Sequence, residues 1–218
     1  MTAAETARTG RGLGKGAKRG ILAIVIVALI AFVALGTKVV PYGAELPGAE
    51  ESFDAETYGP ETFPAVQEGI AERAVAADEL ATAIAADQDA AVSEYAIESS
   101  GGPVFSVTMT GTFGEGASGI YDFQVEGLPE ELAVRVQTGP AINGTELRDA
   151  TGDIAFGEFT NQIDFQNAAA SLNEAMKAEV LEGVDPEALE GSTATITGAF
   201  TLINPEAWLV TPSEFEAG

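Results

Sequence analysis

The chain has 218 residues, 10 basic and 34 acidic, a net charge of −24, and neither histidine nor cysteine. The two absences exclude a thiol nucleophile, a disulfide, a Cys- or His-ligated zinc, an iron–sulfur cluster and an imidazole base. The shortage of basic residues argues against a nucleic-acid partner, which needs a positive surface.

Charge and apolarity divide the chain. Residues 1–20 hold Arg8, Arg11, Lys15, Lys18 and Arg19 against the single acid Glu5, with no apolar periodicity. They read as a disordered basic tail. Residues 21–40 begin with the run Ile21–Leu35, which carries no charge. With Gly20, Gly36, Thr37 and the residues after Lys38 it just reaches the roughly 20 residues a membrane helix needs. The basic flank precedes the run, so the positive-inside rule places the N-terminus in the cytoplasm and the remainder outside. A cleaved signal peptide has the same order, but its apolar part is usually about 7–15 residues. The length favours an uncleaved single-pass anchor.

Residues 41–52 form a polar linker with Pro41 and Pro47. From Pro41 to the end, four basic residues face 33 acids, a net charge of −29. That balance fits a solvated outward-facing domain and repels phosphate-rich partners.

The outer domain, residues 53–218, opens with Phe63, Val66, Ile70, Ala74, Ala77, Leu80 and Ile84 at spacings of three and four, one face of an amphipathic helix. Pro60 and Pro64 fit its first turn or the residues just before it. Asp87–Ile97 reads as a second short helix with Ala91, Val92 and Tyr95 inward. After Gly102-Pro103 the period changes to two. Val104–Phe113, Gly119–Val125 and Glu131–Gln137 read as strands, with Gly114, Gly116 and Gly119 in a hairpin loop. Leu147–Ala150 is a helical turn, and Ile154–Phe159 and Ile163–Phe165 have no clear period. Ala168–Leu181 reads helical, and Asp185-Pro186 starts a further turn. Thr193–Ile203 and Ala207–Phe215 are closing strands joined at Asn204-Pro205. The expected fold class is α+β: an N-terminal membrane helix, then an amphipathic helical segment packed on a small antiparallel β-barrel of OB-like type with inserted helices.

The segment Gly139–Phe165 is distinctive. Its pieces Gly139-Pro140, Gly144-Thr145, Leu147-Arg148-Asp149-Ala150 and Phe159-Thr160-Asn161-Gln162-Ile163 resemble the family of predicted periplasmic lipoproteins encoded beside ribose-type sugar ABC transporters. Lys38-Val39-Val40-Pro41, Gly198–Leu202 and Val210-Thr211-Pro212 extend the resemblance from about Lys38 to Phe215. The family's lipid-bearing cysteine would fall where this chain has Thr37, so the apolar run has to hold the domain at the membrane. The resemblance implies an accessory role beside a sugar importer, in contact with its permease or substrate-binding protein.

Within that segment Arg148, Asp149, Asn161, Gln162 and Thr145 are candidate ligand-binding residues. An arginine fork, a carboxylate, two carboxamides and a hydroxyl supply the donors and acceptors a sugar needs. The alternative is structural: Arg148 pairs with an acid, and Asn161 and Gln162 satisfy turn backbone. Asp149, Asp153, Glu158 and Asp164 fit no EF-hand spacing for calcium, and no catalytic residue, cofactor or metal is expected. Trp208 and Phe123 can stack on a sugar or fill the core. An envelope glycan hydrolase using paired carboxylates and a purely structural envelope protein are the alternative functions.

Overall fold

Asp54 starts the first helix by accepting a hydrogen bond from the Glu56 amide at 2.9 Å. The computed structural model describes residues 53–218, all within the compact unit Ser52–Gly218. The basic tail, the apolar run and the linker lie outside the described residues. Among the described residues no helix is long and apolar enough to cross a membrane.

Helix α1 runs Ala55–Arg73 and carries Pro60 and Pro64 inside it rather than at its start. Each proline removes one helical donor, freeing the carbonyls of Glu56 and Pro60. Both residues are exposed, so solvent reaches those carbonyls. The expected single helix through Ile84 is broken at Ala74, where the backbone is extended (φ −63°, ψ 125°). The two residues Val75–Ala76 (β1) pair with a later strand, and α2 restarts over Ala77–Ala86. The break lets one apolar period serve two cores. Phe63, Val66 and Ile70 pack in one cluster; Ala77, Leu80 and Ile84 pack in the other.

Asp87 caps α3 (Gln88–Tyr95), which leads into β2 (Ala96–Ser99). Strand β3 (Gly102–Ala117) is longer than its alternating stretch suggests. Gly114 and Gly116 lie inside it, beside a bulge between Phe113 and Gly116, not in a loop. The turn is only Ser118-Gly119, before β4 (Ile120–Val125). Gly119 has φ +81°, and a Cβ there would overlap the Gly139 carbonyl oxygen, so glycine is required on both counts. Strand β5 (Ala133–Gln137) follows, then the one-turn helix α4 (Glu146–Asp149), the helix α5 (Gln162–Glu179), β6 (Thr193–Thr201) and β7 (Ala207–Ala217). α5 begins six residues ahead of the expected Ala168, because Asn161 caps it through the amides of Ile163 and Asp164.

The strand pairings run β3–β4–β5–β7–β6 and return from β6 to β3. Two pairings depart from the antiparallel expectation: the short β1 lies parallel to β3, and within the ring β5 and β7 are parallel. The chain leaves β5 through the long α4–α5 crossover and enters β6. It then reverses into β7, which therefore runs alongside β5 in the same sense. Inside this ring Phe105, Phe113, Phe123, Phe200 and Trp208 are at most 3% exposed. Trp208 stacks on Phe200 at 4.6 Å, and its indole N–H is a buried donor without a partner. The core reading of Trp208 and Phe123 is the one the structure shows. A second core joins α1, α4 and α5 against Val104 and Ala199.

Candidate functional site

Thr145, Arg148, Asp149, Asn161 and Gln162 all lie between the end of β5 and the first turn of α5, and most of their polar atoms are engaged internally. Gln137, at the end of β5, donates to the Asn143 carbonyl at 3.0 Å and to Thr211 Oγ1 at 2.8 Å, and accepts from the Asn143 amide at 3.2 Å. Asn173 of α5 donates to the Gly144 carbonyl at 3.1 Å. The loop between them is thus tied to β7 on one side and α5 on the other.

Arg148 and Asp149 follow on α4, both buried. Arg148 Nε donates to Asp149 Oδ1 at 2.7 Å and Nη2 to Oδ2 at 3.0 Å, a two-pronged ion pair between sequence neighbours. Nη1 donates to the Phe165 carbonyl at 3.1 Å, and the guanidinium carbon sits 3.6 Å from the centre of the Phe165 ring. Thr145 Oγ1 donates to Asp149 Oδ2 at 2.7 Å. The structure therefore brings Thr145, Arg148 and Asp149 together, with their hydrogen-bonding capacity directed at one another and at Phe165.

Asn161 and Gln162 stand at the start of α5. Asn161 uses its carbonyl oxygen as the helix cap and its amide nitrogen on Asp164 Oδ2 at 2.7 Å. Gln162 is exposed, and neither residue bonds Arg148 or Asp149. Asp164 is engaged by Asn161 and Asp149 by Arg148. Among the described residues no group of three or more acidic side chains is placed to hold a metal ion.

Glu146, at the start of α4, is a partly buried acid. Burial pushes its carboxyl above the usual carboxylate range and nearby Asp149 adds to this; the bond it accepts from Thr201 Oγ1 at 3.2 Å works in the opposite direction.

Two hollows matter for binding. One, about 300 Å³, lies beside the Asp149 pair and is walled by Ile97, Ser99, Gly152, Phe156 and Phe165. The other, about 380 Å³, lies between α2, the β4–β5 connection and the β6–β7 turn. Ala81, Ile84, Pro129 and Leu132 give it an apolar floor, with Gln88, Glu131 and Glu206 as polar groups. A mostly apolar concavity with a few converging polar groups is the usual form of a small-ligand site. It leaves no signal in the sequence, because its residues come from separate segments, none with a motif of its own.

The chain matches the family described as "Predicted periplasmic lipoprotein (DUF2291)" over residues 24–216. It belongs to this family. The description places the family outside the cytoplasm and at a membrane. The match begins inside the apolar run Ile21–Leu35, and the 218 residues contain no cysteine to carry a lipid. No protein of curated function matches the chain. Among solved structures, an OB-fold protein from Thermotoga maritima is similar, with a TM-score of 0.60 at 20% identity, covering 77% of this chain and 100% of that one. At that identity the likeness speaks for the fold, and the β3–β4–β5–β7–β6 ring of this family member agrees with it.

Proposed function

We propose that this family member is a non-enzymatic accessory protein of a sugar importer, held at the membrane by residues 21–40 with residues 53–218 outside. It works by binding a neutral sugar, or by contacting the permease or substrate-binding protein. The observation that carries the reading is the charge on an OB-type domain. OB folds commonly take oligonucleotides or oligosaccharides. Four basic residues against 33 acids from Pro41 onward disfavour the first. A neutral, hydroxyl-rich ligand remains, by analogy of fold.

The hollow beneath α2 is the proposed contact surface. Its apolar floor suits the C–H face of a sugar, Gln88 can both donate and accept, and Glu131 and Glu206 accept from hydroxyls. The Arg148 cluster is assigned the supporting role of fixing the crossover.

A thermal-shift screen of residues 52–218 against pentoses, hexoses and polyols tests this. A ligand at 100 times its Kd adds about 2.7 kcal/mol of stability. The expected result is a shift with one sugar class, lost in Gln88→Ala or Glu206→Ala while the unliganded melting temperature holds. If no sugar shifts the melt, the proposal requires co-purification of the full chain with the permease or substrate-binding protein. Failure of both contradicts it.

A further inference from the structure

Where the described chain begins, aromatic side chains gather in a continuous row. Phe53 lies 5.1 Å from Tyr58 and 5.5 Å from Phe159, centre to centre. Phe159 lies 5.3 Å from Phe165, and Phe165 lies 5.5 Å from Phe156. The inner members are half-buried and fasten the start of α1 to the loop before α5. Phe156, at the end of the row, is 52% exposed, and Ile163, in the first turn of α5 two residues before Phe165, is 67% exposed. Among the described residues one other large apolar side chain is as open, Ile203 at 86%, and it belongs to the β6–β7 turn.

The row coincides with the point at which the chain enters the domain. Phe53 follows Leu35, the last residue of the apolar run, by 18 positions. A chain of that length spans at most about 60–65 Å even when fully extended. An apolar surface tethered this closely to a membrane segment meets the lipid interface at high effective concentration. Aromatic rings favour that depth.

We infer that this face of the domain lies against the bilayer, with Phe156 and Ile163 in the headgroup region. The inference rests on the reading of Ile21–Leu35 as a membrane anchor. Asp54, Glu158 and Asp164 are the sequence neighbours of Phe53, Phe159 and Ile163, and the chain from Pro41 onward is strongly acidic, so the surface it fits is zwitterionic lipid, not anionic lipid. Phe53, Tyr58 and Phe159 form the rigid support behind the two contact residues.

The absence of cysteine makes the test direct. Phe156→Cys, Ile163→Cys and Ile203→Cys each give the full chain one attachment point, at an exposed position, for an environment-sensitive fluorophore. The labelled chains are reconstituted into phosphatidylcholine vesicles and recovered by flotation. The expected result is blue-shifted, brighter emission at 156 and 163, quenched by headgroup-labelled lipid, with water-like emission at 203. Chains that float with the vesicles but give water-like emission at 156 and 163 overturn the inference and leave the anchor intact. Chains that do not float contradict the anchor reading, and this inference falls with it.

Discussion

Arg148 is clamped by Asp149, the residue next to it, through bonds of 2.7 and 3.0 Å, while Phe165 accepts a third bond and covers the guanidinium face. Adjacent residues seldom pair this way along a regular helix, since they do not share a face. Here α4 is one turn long, and the pair lies under the α5 start, out of water. Removing one partner leaves the other charge buried and unmatched. Arg148→Met and Asp149→Leu should each cost about 3–5 kcal/mol, and the double variant should recover much of that. Denaturant unfolding measures it. Trp208, the only tryptophan and fully buried, reports the transition by a red shift of its emission.

A second prediction concerns the α1–α5 crossing. A Cβ at Gly59 would overlap the Ser171 carbonyl oxygen of α5. Alanine has the better helix propensity by about 1 kcal/mol, which alone would stabilise α1. Parting the two helices should outweigh that gain, for a net loss of about 1–3 kcal/mol in Gly59→Ala. Melting curves of wild type and variant decide the sign.

A third follows from Glu146. Its folded carboxyl is held above the ordinary range by burial and by Asp149, so the folded state binds its proton more tightly than the unfolded state. The resulting stability is fully present below the unfolded value of about 4.3 and is lost as pH rises through the folded value. Glu146→Gln, which does not titrate, should therefore gain stability relative to wild type as the pH is raised from 4 to 7. Paired melts across that range isolate this group from the other acids.

The strands were legible because a half-buried strand alternates, and β3 to β7 each do so over part of their length. The break at Ala74 was not, since the apolar spacing continues in phase across it. Only the neighbouring β3 edge, which pairs with Val75 and Ala76, makes extended backbone worthwhile there. The parallel β5–β7 pairing is a matter of chain path and leaves no local trace. The crossover was legible as distinctive, and Asn161 carries an ordinary cap signal. Whether Arg148 faces a ligand or its own neighbour depends on where α5 packs. The hollow beneath α2 was illegible for the same kind of reason: Ile84, Leu132 and Glu206 meet only in the folded chain.

The central claim is that the domain stands outside the membrane. Ile203→Cys puts a single exposed thiol on a chain that has none. Intact cells expressing that variant are treated with a membrane-impermeant maleimide, and the labelling is compared with that of lysed cells. The account predicts equal labelling in both. Labelling that appears only after lysis would place the domain inside the cell and contradict it.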